Sequence, residues 1–361
     1  MSLPGRPTRV VVVDDSRLMR SLLGRALEME GDLEIVGLAA DVSEARRLIR
    51  ETDPDVVTLD VEMPGMNGLE FLQKIMTLRP TPVVMVSSLT AEGAETTLEA
   101  LRIGAVDAVQ KPSGPDPLGP FGEALRAKVR LAAQARVRHT APRAARSPAR
   151  PPRRSPRDPA GGARRRSVVA VGASTGGVAA ISEMFEALPR ELPPLVVTQH
   201  MPVGYTARFA RRLAERLGRD VAEARDGEAI VGGMIRIAPG DRHLEVLSDG
   251  GRLLTRLSDA DPVCGHRPSV DVLFASVARA VGPAAVGVIL TGMGRDGAAG
   301  LRAMRAAGAA CLGQSERTCV VYGMPRAARE FGAVEEELDL DRLPARIEDI
   351  TRGGAERRAA P

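Results

Sequence analysis

No tryptophan occurs in the 361 residues, and only two tyrosines and six phenylalanines do. Binding that works by stacking nucleic-acid bases on aromatic faces has few side chains to use, and the cores must be built mainly from Ala, Val and Leu. Cysteine stands only at Cys264, Cys311 and Cys319, an odd number in no metal-ligand spacing, as expected of reduced thiols in a cytoplasmic protein. No apolar run approaches the ~18 residues of a membrane span, and the N-terminus lacks the apolar core of a signal peptide. A soluble, cytoplasmic location is expected.

Lysine is scarce as well. Lys74, Lys111 and Lys128 are the only three among 50 basic residues, so arginine meets the general need for positive charge and a lysine marks a place that wants a compact ammonium. The net charge of +4 is unevenly spread: residues 138–166 hold ten arginines against Asp158 alone, so that segment carries +9 and the remainder −5. The basic character belongs to a tether, and no nucleic-acid partner is expected. Six prolines between residues 139 and 166, without apolar periodicity, read as an extended, disordered linker. With 44% hydrophobic residues, the chain can bury a core on either side of it. The expected division is a first domain at 1–138, the linker at 139–166, a second domain at 167–352 and a flexible tail at 353–361.

In the first domain, apolar runs at Val10–Val13, Glu34–Leu38, Val56–Leu59, Val83–Val86 and Val106–Val109 read as buried strands. Helical periodicity follows at Arg17–Glu28, Val42–Arg50, Leu69–Leu78, Ala91–Arg102 and Phe121–Val137. Five βα units predict an α/β fold of flavodoxin-like type with a five-stranded parallel sheet. Functional groups gather at the carboxyl ends of such strands, and those ends give Asp14 and Asp15, Asp60, Ser87 and Ser88, and Lys111 followed by Pro112. Acids after strands often merely cap the next helix. That reading leaves Lys111 unexplained, whereas carboxylates around Mg²⁺, with a hydroxyl and an ammonium in reach, suit phosphoryl transfer onto Asp60.

Asp14-Asp15-Ser16, Leu59-Asp60-Val-Glu62-Met63-Pro64-Gly65, Ser87 and Lys111-Pro112 together resemble the receiver domain of two-component response regulators. The resemblance implies that Asp60 is the phosphoacceptor. It also implies that Asp14, Asp15, Asp60 and the backbone carbonyl near Glu62 surround Mg²⁺, and that Ser87 and Lys111 contact the phosphoryl oxygens. Many receivers carry an aromatic three residues before the lysine; Ala108 stands here, which removes the ring an aromatic-rotamer switch requires.

The second domain opens with Val168-Val-Ala-Val-Gly172-Ala-Ser174-Thr-Gly176-Gly177, an apolar strand, a small-residue turn with a hydroxyl, and a helical pattern from Val178 to Leu188. A serine on such a turn can attack a carbonyl, and the same turn can cradle a phosphate. Two further strands end in chemistry: Leu195–Gln199 leads to His200, and Ala285–Leu290 to Thr291-Gly-Met293-Gly-Arg-Asp296-Gly297. A doubly wound parallel sheet brings all three ends to one edge, which favours a serine hydrolase with Ser174 as nucleophile, His200 as base and Asp296 as its orienting acid. Backbone N–H groups at Thr175 and Met293 are oxyanion candidates. The chain order Ser, His, Asp is not that of an α/β-hydrolase.

Competing assignments stay open at this point. His200 could simply cap the segment that follows, Asp296 could bind only a helix N-terminus, His266 is a rival base, and Cys264 is a weaker nucleophile. His243 reads as a turn residue entering a hairpin, within a stretch from Ile230 to Leu257 that suggests an antiparallel hairpin edge. At the level of the whole chain, the alternative is a non-enzymatic or DNA-binding response regulator. A nucleotide-binding form of it would need an acid about 20 residues past Gly172–Gly177, where Glu191 stands; a DNA-binding form would need a compact helix-turn-helix.

Gly172-Ala-Ser174-Thr-Gly-Gly, Gln199-His200-Met201-Pro202, His266-Arg-Pro-Ser-Val-Asp271 and Thr291-Gly-Met-Gly-Arg-Asp296-Gly297 together resemble the catalytic domain of the chemotaxis protein-glutamate methylesterases, the CheB family. The resemblance implies hydrolysis of glutamyl methyl esters, and deamidation of glutamines, on the cytoplasmic helices of chemoreceptors, without a cofactor for the ester step. It implies partners in the methylated receptors, through which alone the protein meets the membrane, and in a chemotaxis histidine kinase that phosphorylates Asp60. It also implies that the unphosphorylated receiver obstructs the active site.

Overall fold

A computed structural model describes residues 6–63, 68–87, 90–112, 118–137 and 168–352. The linker at 139–166, the tail at 353–361, Pro64, Gly65 and Ser88 lie outside the described residues.

The first domain follows the predicted alternation: β1 (Thr8–Val13), α1 (Arg17–Glu28), β2 (Leu33–Ala39), α2 (Val42–Thr52), β3 (Val56–Asp60), α3 (Gly68–Leu78), β4 (Val83–Ser87), α4 (Ala91–Ile103), β5 (Asp107–Gln110) and α5 (Pro120–Ala133). The five strands pair in parallel in the order β2-β1-β3-β4-β5. Val10 and Val12 of β1 meet Leu23, Leu27, Leu125 and Val129 on one face, while Val11 and Val13 meet Phe71, Leu72 and Ile75 on the other. Burial on both faces explains why the strand is an unbroken valine run and not an alternating one. The helix predicted to reach Val137 stops at Ala133. The chain there is captured by the second domain, with Arg136 N–H donating to Val320 O at 3.0 Å.

The second domain contains β6 (Val168–Ala173), α6 (Gly177–Ala187), β7 (Leu195–Gln199), α7 (Tyr205–Leu217), β8 (Val221–Glu223), β9 (Ile235–Ile237), β10 (His243–Asp249), β11 (Arg252–Ser258), α8 (Val270–Ala280), β12 (Ala285–Ile289), α9 (Ala298–Ala306), β13 (Ala310–Gln314), α10 (Met324–Glu330), β14 (Glu336–Leu338) and α11 (Leu343–Thr351). Seven strands form one parallel sheet in the order β14-β13-β12-β6-β7-β9-β8. Ile181, Phe185, Phe209 and Leu343 cover one face, and Phe274, Leu301, Met304 and Met324 the other. The antiparallel hairpin is present as β10 and β11, but as a separate two-stranded sheet against α8 and not as an edge of the main one.

Strand order reverses between β6 and β12, the switch point where a crevice opens at the carboxyl ends. Across that crevice sits the first domain. Ala94 and Leu98 of α4 join the apolar cluster of α6 and α7, and Arg211 and Arg212 pair with Glu95 and Glu99.

Candidate active site

Ser174 sits between β6 and α6. Its N–H donates to Thr291 O (3.0 Å) and its carbonyl accepts from Gly177 N–H (2.8 Å), which closes the turn. Gly176, at φ +76°, makes the reversal in the left-handed region that glycine favours. The serine is wedged against a second glycine: a Cβ on Gly292 would lie 2.8 Å from Ser174 Cβ and 2.3 Å from Met324 Sδ. Gln199, which closes β7, reaches across with its amide nitrogen to the carbonyls of Ser174 (2.9 Å) and His200 (3.1 Å). It ties the loops of two site residues together, a role its place in a strand pattern did not signal.

His200 Nε2 lies 2.8 Å from Asp296 Oδ2. Its other ring nitrogen, Nδ1, is buried with no hydrogen-bond partner among the described residues. Asp296, 1% exposed, also accepts from Ser269 Oγ (2.7 Å) and from the N–H groups of Val270 (2.8 Å) and Asp271 (3.0 Å). It therefore binds the N-terminus of α8 and the imidazole at once. Burial works to raise the Asp296 carboxyl, but bonds from His200, Asp271 and Ser269 hold it below the ordinary carboxylate range.

Ser174 and His200 open on one cavity of about 560 Å³, whose opposite wall comes from the first domain through Asp107, Ala108 and Lys128. Thr175, 7% exposed, donates its hydroxyl to Asp107 Oδ2 at 2.8 Å. Lys128 Nζ pairs with Asp107 Oδ1 at 2.8 Å. Met293 is 51% exposed at the cavity rim. The backbone N–H groups of Thr175 and Met293 make no hydrogen bond among the described residues.

The remaining candidates sort differently. His243 enters the hairpin as the first residue of β10, and it is 0% exposed there, accepting from Ser269 N–H at Nδ1 (3.1 Å) and donating from Nε2 to Asp261 O (3.1 Å). His266 stacks on His200, ring centroids 3.8 Å apart and planes 12° apart, but Asp296 bonds His200. Burial and the Asp271 and Asp296 charges push the Cys264 thiol up, opposite to a reactive thiolate. Glu191 is exposed between α6 and β7, at the amino end of β7 and so on the wrong edge to hold a nucleotide's ribose.

At the first domain's strand ends, one oxygen each from Asp14, Asp15 and Asp60 lies within 4.8 Å of the others. Lys111 Nζ is 2.8 Å from Asp60 Oδ2 and 3.1 Å from Asp14 Oδ2, an ion pair that leaves the buried Asp14 oxygen without a hydrogen bond. Burial, with the Asp14 charge, pushes the Asp60 carboxyl above its ordinary value despite Lys111. Three carboxylates against one ammonium leave an excess of two negative charges, and such an all-oxygen donor set fits a hard divalent cation. Ser87 Oγ accepts from Thr97 Oγ1 of α4 at 2.9 Å.

The family described as CheB methylesterase matches residues 169–347, and the response regulator receiver domain matches residues 10–119. Protein-glutamate methylesterase/protein-glutamine glutaminase 1 of Caulobacter vibrioides is 54% identical over 344 residues, 95% of this chain and 97% of that protein. The chain belongs to the CheB methylesterase family. The Rhizobium etli member is 53% identical over 346 residues, 96% of this chain and 97% of its own length. The crystal structure of the Thermotoga maritima CheB methylesterase catalytic domain matches with 35% identity and a TM-score of 0.49, over 50% of this chain and 96% of that one. The chain itself carries a receiver domain in front of a CheB methylesterase domain.

Proposed function

We propose that this chain is a phosphorylation-activated protein-glutamate methylesterase that hydrolyses glutamyl methyl esters, and deamidates glutamines, on chemoreceptor cytoplasmic helices. The observation that carries the mechanism is His200, bonded to a clamped Asp296 through one nitrogen and left unpartnered at the other. His200 Nδ1 takes the Ser174 hydroxyl proton as Oγ attacks the ester carbonyl. This reverses the ring nitrogens of the serine-protease template, in which Nδ1 faces the acid. The tetrahedral oxyanion accepts from the Thr175 and Met293 N–H groups. Collapse breaks the C–OCH₃ bond, and methanol leaves with the proton held by His200; ammonia leaves in the deamidation. Water, deprotonated by His200, then releases the glutamyl group from Ser174. Asp296 stays ionised throughout and stabilises the imidazolium.

In the receiver, Asp14, Asp15, Asp60 and the carbonyl near Glu62 would hold Mg²⁺, which when bound neutralises charge during phosphoryl transfer. Asp60 accepts the phosphoryl group from a chemotaxis histidine kinase, with Ser87 and Lys111 on its oxygens. No described helix is long and apolar enough to cross a membrane, in keeping with a cytoplasmic enzyme that reaches membranes through its receptors. In Asp60→Asn, methanol release without phosphodonor should stay at the wild-type basal level, and a small-molecule phosphodonor should fail to raise it. Stimulation of the variant would move the phosphoacceptor elsewhere.

The unphosphorylated receiver restrains the site through Asp107, which ties Thr175, next to the nucleophile, to Lys128. Removing a hydrogen bond worth about 1 kcal/mol favours the open form about five-fold. Asp107→Ala is therefore expected to raise methanol release by the unphosphorylated full-length protein about five-fold. An unchanged or lower basal rate would show that this bridge does not restrain the enzyme.

A further inference from the structure

One hydrogen bond to Asp296 fixes an edge of the His200 ring but leaves its plane free to tilt. The face of that ring is occupied by His266, with centroids 3.8 Å apart and planes only 12° from parallel. No hydrogen bond from the His266 ring is made among the described residues, so its nitrogens organise nothing, whereas its face lies flat on the base.

The segment that carries His266 is held rigidly. Val263 and His266 exchange backbone hydrogen bonds at 3.0 Å each. Arg267, next in the chain, reaches the carbonyls of Asp259 (3.0 Å) and Ala260 (3.2 Å). Ser269, three residues on, caps α8 and donates to Asp296. The ring that lies on His200 and the carboxylate that bonds it are thus parts of one braced assembly.

We propose that His266 is a positioning residue for ester hydrolysis: its ring, stacked on His200, holds the imidazole in the plane that keeps Nε2 on Asp296 and Nδ1 available to Ser174. The inference rests on His200 being the base. It assigns to His266 a flat surface and no proton transfer, so an apolar ring of similar shape should serve. Burial and the neighbouring His200 hold the His266 imidazole below its ordinary value although Asp296 opposes them, which keeps it uncharged beside a base that must itself become charged.

The test uses full-length protein activated by a small-molecule phosphodonor, with methanol release from methylated receptor resolved into kcat and KM. Loss of a positioned near-attack geometry is expected to lower kcat of His266→Ala about ten- to a hundred-fold with KM changed less than about two-fold. His266→Phe is expected to recover most of that loss. Full kcat in His266→Ala overturns the proposal, as does a defect confined to KM, which would make His266 a substrate contact. A His266→Phe as slow as His266→Ala also overturns it, because a ring nitrogen would then be needed. His200→Ala, measured alongside, separates the two levels. Substantial activity there removes the base assignment itself, whereas a dead His200→Ala beside a normal His266→Ala removes only the stacking role.

Discussion

Replacing Ser174 by alanine is expected to lower methanol release from methylated receptor by at least about a thousand-fold. The size follows from what is left behind. The Thr175 and Met293 N–H groups and the His200–Asp296 pair remain, but attack would fall to a water with no fixed place. Because the serine holds its turn through backbone groups, its N–H on Thr291 and its carbonyl on Gly177 and Gln199, the hydroxyl can be removed without loosening the fold. The variant should therefore keep the wild-type melting temperature. Retention of more than a few per cent of activity would remove the nucleophile assignment.

Asp296→Asn should be nearly as damaging, for a different reason. The carboxylate accepts two donors on each oxygen: Ser269 and Asp271 on Oδ1, Val270 and His200 on Oδ2. An amide has one accepting atom, so whichever way it turns, its NH₂ confronts two donors. With the NH₂ toward His200, the imidazole must take its proton at Nδ1 to accept at Nε2, and Nδ1 can no longer receive the Ser174 proton. A loss of about 10³- to 10⁴-fold in kcat is expected, as for the wrong tautomer in a serine-protease triad. Stability should fall as well, by about 1–3 kcal/mol for the unsatisfied donors. The folded-state carboxyl is held below its ordinary value, so its contribution is present above the unfolded carboxylate range and is lost as pH falls through the lower folded value. Urea midpoints of wild type and Asp296→Asn should accordingly converge on acidification. A constant gap down to strongly acid pH would mean that the bonds to α8 do not depend on the ionised form.

Much of this site was legible because chemistry sits where apolar strands stop. Asp60, Ser174 and His200 each follow a short run that only a doubly buried strand explains, and a parallel sheet leaves one edge for such residues to meet. The elements that escaped notice lack that contrast. Ala310–Gln314 carries a glycine and ends in glutamine, while β8 and β14 have three residues each; they are strands because neighbours pair with them. The burial of His243, which opens the hairpin strand β10 as expected, was hidden for the same reason, since it depends on Ser269 and Asp261, which lie 26 and 18 residues away. Which nitrogen of His200 faces the acid, and that Asp296 also caps α8, are facts of side-chain direction that spacing does not encode.

The relay claim is tested most directly by a double-mutant cycle. Methanol release from methylated receptor would be measured for phosphorylated wild type, Ser174→Ala, Asp296→Asn and the double variant. If Ser174 and Asp296 act only through one proton relay via His200, the double variant should be no slower than Ser174→Ala alone. Losses that multiply would show two independent contributions, and the relay would be contradicted.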